Sequence, residues 1–214
     1  MSQTAQSFEG QIPVAFNYLL SLPASYGQDP NEQWPLLLFL HGSGERGTDI
    51  EKVKVHGPPM MAAQGQDFPM VVCSPQLPEG QWWHETELLG LVDHIAAKYR
   101  IDPSRIYVTG LSIGAFGAFD LVAYAPERFA AAVMICGGSE PSRGWRLAKV
   151  PIRIYHGKND DVVPVQRSEE MAAAIKKAGG DVTLTVYPDA GHVEGWQKTY
   201  ANMETYEWML TQSK

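Results

Sequence analysis

The stretch Arg105-Ile106-Tyr107-Val108-Thr109-Gly110-Leu111-Ser112-Ile113-Gly114-Ala115-Phe116-Gly117 decides the fold. Its first part, Ile106-Tyr107-Val108-Thr109, is β-branched and aromatic and reads as a short buried strand. From Ile113 onward the pattern turns helical. Between them lies Gly110-x-Ser112-x-Gly114, the pattern of a nucleophile elbow. The pattern has a steric reason. A serine at so sharp a corner holds a strained backbone. A side chain at either flanking position is expected to collide with the neighbouring strand or helix, and glycine has no Cβ to collide. The helix that follows aims its first N–H groups at the corner, where they favour negative charge on a substrate oxygen. Alone, the pentapeptide is a modest signal, because a serine in a glycine-rich turn is usually only a turn residue. Its surroundings give it weight.

Upstream, Pro35-Leu36-Leu37-Leu38-Phe39-Leu40 is a continuous apolar run of strand length. Such a run fits a strand buried on both faces, hence a central parallel strand. It ends in the loop His41-Gly42-Ser43-Gly44-Glu45-Arg46-Gly47. Residues 14–22 read as a strand ended by Pro23, and residues 48–64 as partly helical with an interruption at Gly57-Pro58-Pro59. A strand over 69–75 leads into a loop holding Trp82 and Trp83. Residues 85–99 form a helix, with Leu88, Leu89, Val92, Ile95, Ala96 and Tyr99 on one face. Downstream of the elbow helix, strands are expected over 130–136, 151–156 and 182–187, with helices over 166–178 and 195–210. Strands alternating with helices in this way make an α/β protein. The expected architecture is a mostly parallel central sheet with helices on both faces, in one domain over residues 1–214. Only residues 139–150 separate two core strands where a lid would be inserted. That segment is too short for a lid domain, so the site should be open.

In open parallel sheets, sites form beyond the carboxyl ends of the strands. Ser112 follows the elbow strand, Asp160 and Asp161 follow the strand ending at His156, and His192 follows the last strand. A serine hydroxyl is a weak nucleophile until an imidazole takes its proton. A buried carboxylate then fixes the imidazole tautomer and stabilises the imidazolium. The tetrahedral oxyanion needs N–H donors. The backbone of Ile113 supplies one, and the glycine loop supplies the other through Ser43, with Gly44 as the alternative. His41 and His156 end strands beside glycine and read as structural. His56 and His94 read as surface residues. No Cys/His/Asp cluster has metal-site spacing, and Gly42-x-Gly44 is no dinucleotide fingerprint, so neither metal nor cofactor is expected. Trp82 and Trp83 fit either a core or a ligand shelf. As a shelf, Trp83 would form an apolar wall of the substrate pocket together with Trp196.

The chain has 214 residues, 44% hydrophobic and 19% charged, with a net charge of −7. That charge argues against nucleic acid or an anionic membrane as partner. No apolar run reaches the ~20 residues of a membrane span, and the first ten residues carry no secretory apolar core. Cys73 and Cys136 lie in apolar strand-like runs and read as buried free thiols. A cytoplasmic protein is the expectation.

Three segments together carry a family resemblance: Leu40-His41-Gly42-Ser43-Gly44-Glu45-Arg46-Gly47, Gly110-Leu111-Ser112-Ile113-Gly114, and His156-Gly157-Lys158-Asn159-Asp160-Asp161-Val162-Val163-Pro164. In this order they resemble the phospholipase/carboxylesterase branch of the α/β-hydrolases. Ser74-Pro75-Gln76 and Gln81-Trp82-Trp83 are similar to a group within it described as peptidases or esterases. The likeness runs from about Trp34 to the C-terminus. It implies the α/β-hydrolase fold and the chain order Ser, Asp, His. It maps the acid to Asp160 rather than Asp161, the histidine to His192 and the oxyanion loop to residues 41–44. Two departures stand out. Ala115 occupies a position where the family often has a second glycine, and His192-Val193-Glu194-Gly195-Trp196 is one residue longer than the group's usual spacing to tryptophan. The expectation is a lidless serine hydrolase that cleaves small carboxylic esters of short or aromatic acids through an acyl-enzyme. A peptidase of small peptides and a non-catalytic binding module are the alternatives. Oligomeric state is not encoded in these motifs.

Overall fold

The apolar run at residues 35–40 does lie mid-sheet. In the computed structural model, which describes residues 4–7, 9 and 13–214, the strands are Asn17–Ser21 (β1), Trp34–Leu40 (β2), Val71–Gln76 (β3), Ile101–Leu111 (β4), Ala131–Ile135 (β5), Ile152–Gly157 (β6) and Val182–Tyr187 (β7). They form one seven-stranded sheet in the order β1-β3-β2-β4-β5-β6-β7. Only β1 runs antiparallel, beside β3, and every other neighbouring pair is parallel.

Every residue of β2 is buried. Its side chains alternate between two apolar layers, as the pleat requires. Leu36, Leu38 and Leu40 pack with Leu88, Val92, Phe119, Met171 and Ile175. Those residues come from Glu85–Lys98 (α2), Ile113–Tyr124 (α3) and Gln166–Lys177 (α5). Leu37 and Phe39 pack with Phe68, Trp196, Tyr200, Tyr206 and Met209 on the other face. That face is covered by Gly57–Ala63 (α1), His192–Ala201 (α6) and Glu204–Leu210 (α7). Helices therefore cover both faces, and each fully buried leucine of β2 contributes about 1.5–3 kcal/mol. This is the α/β-hydrolase architecture.

Several boundaries differ from the sequence reading. β1 is shorter than residues 14–22. Gly57-Pro58-Pro59 opens α1 rather than interrupting a helix: a 3₁₀ turn over Ile50–Val55 precedes it, and the prolines sit in the first turn. Gly57 has φ +62°, and a Cβ there would stand 2.7 Å from the Phe39 ring, so only glycine fits. The C-terminal helix is broken at Asn202, whose Oδ1 accepts the Glu204 N–H at the start of α7. Residues 139–150 hold a 3₁₀ turn and the short helix Gly144–Leu147 (α4), packed against α3 and α5 instead of over the sheet's carboxyl edge. A Cβ at Gly144 would lie 2.8 Å from the Ala174 backbone, so α4 is held tightly to α5. Among the described residues, no helix is long and apolar enough to cross a membrane. Half of the ten-residue polar opening, read above as carrying no secretory core, lies outside the described residues.

Candidate active site

At the carboxyl end of β4 the chain turns sharply into α3. Ser112 takes φ 52° and ψ −122°, a conformation costing about 1–3 kcal/mol for a residue with a Cβ. The two glycines are present for the steric reason expected from the sequence. A Cβ on Gly110 would stand 2.3 Å from the Gly114 carbonyl oxygen, and one on Gly114 would stand 2.0 Å from the Leu40 carbonyl oxygen. The elbow is therefore wedged between its own helix and β2. Its backbone is held by Ser112 N–H donating to Ile135 O at 3.0 Å. Ala115 is fully buried at the helix start, against Gly137, so the extra methyl is accommodated.

The loops after β6 and β7 bring the next two residues to Ser112. Gly157 ends β6, and a Cβ there would lie 2.3 Å from the Gly191 carbonyl oxygen. That close approach sets the Asp160 turn against the His192 turn. His192 Nε2 lies 3.0 Å from Ser112 Oγ, and His192 Nδ1 lies 2.6 Å from Asp160 Oδ2. Asp160 Oδ1 accepts N–H bonds from Val162 at 2.9 Å and Val163 at 2.8 Å. Burial alone would raise the Asp160 pKa. The hydrogen bonds from His192, Val163 and Val162 outweigh burial and hold it below the ordinary carboxylate range. Asp161 is exposed. The structure thus joins Ser112, His192 and Asp160 in one hydrogen-bonded series.

The histidines read as structural behave so. His41 Nδ1 donates to Gly42 O at 2.6 Å, and its Nε2 accepts the Leu77 N–H at 2.9 Å. Burial, only partly offset by that bond, lowers its pKa to about 4, so it is neutral at pH 7. His156 is buried, with Nε2 2.9 Å from Val163 O and 3.1 Å from Asp160 Oδ2. Burial lowers its pKa also. Both cysteines are free and buried, and burial pushes the Cys136 thiol up to about 12. Among the described residues, Cys136, Asp160 and His192 are the one group with ligand atoms close enough for a metal. The carboxylate and imidazole of that group are already bonded to each other, and its thiol is protonated.

Ser112 opens onto a hollow of about 320 Å³. Gly42, Ser43 and Gly44 form one wall, and Ile113, as the first residue of α3, leaves its N–H without an intrahelical acceptor. Trp196 lines the hollow as well. One helical turn separates it from His192 on α6, so the two share a face, and their rings meet edge-on at 4.8 Å. Trp83 is placed differently from the expected wall. Only 6% exposed, it packs beneath the loop against His41 at 5.0 Å between ring centroids, and a Cβ on Gly117 would reach it at 2.6 Å. Trp83 is a core residue under residues 41–44. Its neighbour Trp82 is the exposed one.

Two residues of the hollow had no such role in the sequence reading. Glu45 is buried, with Oε1 3.6 Å from His56 Nε2 and Oε2 3.7 Å from His41 Nδ1. His56, read as a surface residue, is half-buried and packs on Trp196 with centroids 5.5 Å apart. Glu45 lies inside the glycine loop, but nothing in its spacing says that its side chain turns inward. His56 carries no local signal at all.

Comparison with known proteins fits this geometry. The family model described as "Dienelactone hydrolase family" matches residues 81–204, more than half of the chain. A poly(3-hydroxyalkanoate) depolymerase C from Paucimonas lemoignei is 52% identical over 132 residues, covering 47% of this chain and 32% of its own length. A thermostable esterase of known structure is 33% identical, with a TM-score of 0.77 over 92% of this chain and 59% of its own. The esterase PE8 superposes with a TM-score of 0.67 at 22% identity, over 88% of this chain and 97% of its own. The chain spans less than two thirds of the length of the first two.

Proposed function

The chain belongs to the dienelactone hydrolase family of the α/β-hydrolases, and from that premise we propose that it is a serine hydrolase cleaving carboxylic esters. The observation that carries this reading is the series Ser112 Oγ–His192 Nε2 at 3.0 Å and His192 Nδ1–Asp160 Oδ2 at 2.6 Å, opening onto a hollow. In the proposed reaction Ser112 Oγ attacks the ester carbonyl as His192 Nε2 takes its proton. Asp160 holds the Nδ1 proton in place and stabilises the imidazolium without itself being protonated. The Ile113 N–H and the Ser43 N–H, or that of Gly44, receive the oxyanion. His192 returns the proton to the departing alkoxide, leaving an acyl-enzyme on Ser112. Water, deprotonated by His192, then releases the acid.

The hollow of about 320 Å³ favours short acyl groups. With Trp83 in the core, Trp196 is the tryptophan that lines the hollow. Resemblance to a protein described as a thermostable esterase and to a poly(3-hydroxyalkanoate) depolymerase supports ester chemistry. The test uses an ester and an anilide of the same short acid. The expected outcome is efficient ester turnover with the anilide slower by orders of magnitude, because amide cleavage must protonate a poor leaving group. Comparable kcat/KM on the two would favour a peptidase instead.

A further inference from the structure

Trp196 stands between two hollows. One is the space above Ser112; the other is a larger cavity of about 500 Å³ between α1 and α6. His56 and Trp196 line both, so these two rings form the partition. Val55, Met60, Met61, Tyr200 and Ala201 supply apolar parts of the second cavity's wall, with the uncharged polar Gln64 and Gln197 beside them. No Asp, Glu, Lys or Arg lines it. Its size lies in the range of about 300–1,000 Å³ typical of small-molecule sites. The paired methionines are flexible, polarizable side chains that adapt to apolar ligands of varied shape. Among the described residues the Trp196 indole N–H has no acceptor, so no hydrogen bond pins this ring in the partition.

We infer that this cavity receives the alcohol part of the ester, and that the alcohol is an apolar alkyl or aryl one. The inference rests on the ester-hydrolase reading above. The side follows from proton delivery. His192 Nε2 must reach the leaving oxygen, so the alcohol departs past the His192 ring, away from the oxyanion donors of residues 43 and 113. Trp196 packs on that ring at 4.8 Å. A chain leaving the ester oxygen in this direction meets Trp196, passes His56 and enters the space between α1 and α6. The acyl group stays on the other side, in the smaller hollow.

The experiment compares two series: acetates of ethanol, butanol and octanol, and ethyl esters of acetic, butyric and octanoic acids. In the alcohol series kcat/KM should rise by up to about fourfold per methylene buried, and the acyl series should show no such rise. Ala201→Trp, at an exposed helix position on the cavity wall, should lower the octyl-to-ethyl ratio for acetates at least tenfold. Met60→Ala, which widens the cavity, should move the optimum to longer alcohols. A readout without turnover runs beside these: calorimetric binding of 1-octanol to Ser112→Ala, which should saturate and weaken when Ala201→Trp is added. A chain-length gain confined to the acyl series, or octanol affinity indifferent to Ala201→Trp, would overturn the inference while ester turnover left the hydrolase reading standing. Octanol binding weakened by Ala201→Trp in a protein that cleaves no ester would support the cavity's ligand class and overturn the hydrolase reading.

Discussion

Asp160→Asn replaces one oxygen by an amide nitrogen and tests the hydrogen-bonded series as a unit. The two backbone donors, Val162 N–H at 2.9 Å and Val163 N–H at 2.8 Å, need an acceptor, so the amide oxygen takes the Oδ1 position. The amide NH₂ then occupies the Oδ2 position, 2.6 Å from His192 Nδ1. Two donors cannot face each other at that distance. His192 must present a lone pair at Nδ1 and carry its proton on Nε2, pointing at Ser112 Oγ. That tautomer cannot accept the serine proton. The expected loss in kcat is on the order of 10⁴, equivalent to about 5 kcal/mol of barrier. KM should change little, because Asp160 is buried behind the imidazole and does not line the hollow. Asp161→Asn, at an exposed position, serves as the control and should retain nearly full activity. Steady-state kinetics on a short-chain ester, with circular dichroism to verify folding, reads the result. Asp160→Asn activity within tenfold of wild type, or a larger loss in Asp161→Asn, would refute the assignment of the acid.

Gly114→Ala should destabilise by roughly 4 kcal/mol or more, because its Cβ has only 2.0 Å to the rigid Leu40 carbonyl; thermal unfolding checks this, and an unchanged Tm would contradict the wedge. Trp83→Ala should cost about 3–5 kcal/mol of stability as a buried aromatic while shifting KM for short esters only slightly; a selective KM rise for aromatic esters with intact stability would return Trp83 to the pocket. Acid should weaken the fold first through His41. Its folded pKa of about 4 lies below the 6.5 of a free histidine, so the unfolded chain takes the proton first. Stability is then full above pH 6.5 and falls by up to about 3 kcal/mol as pH drops toward 4. His156, also lowered by burial, acts in the same direction. Asp160, held below its ordinary range, loses its contribution only at lower pH. Urea unfolding at pH 7 and pH 4.5 measures the fall, and equal stability at both would contradict it.

The sequence carried the parts of this site that are set by backbone sterics and strand ends. The run at residues 35–40 could only be buried on two sides, and β2 is. Gly110, Gly114 and Gly157 mark places where a Cβ has no room; Gly110 closes the elbow on its own helix, while Gly114 and Gly157 fix contacts between segments far apart in the chain. Ser112, Asp160 and His192 were legible because each follows a strand of the same sheet. Side-chain direction off those elements was not legible. Trp82 and Trp83 are adjacent and chemically identical, yet one is exposed and the other lies under the glycine loop, a difference set by packing on Gly117 and His41. His56 and Glu45 meet only because α1 and the 3₁₀ turn before it fold back beside the glycine loop. The break at Asn202 coincides with one local bond, from the Glu204 N–H to Asn202 Oδ1, which a helical period passes over. The space between α1 and α6 belongs to neither helix alone.

The central claim is that Ser112 is a nucleophile activated by His192. Intact-mass spectrometry after exposure to a fluorophosphonate tests it most directly. Wild type should gain one phosphonyl adduct with loss of fluoride, mapped to the peptide containing Ser112, and ester turnover should fall in step with labelling. Ser112→Ala should gain none, and His192→Gln should label far more slowly. An adduct on another residue, or a wild-type protein that remains unlabelled while still cleaving esters, would contradict the account.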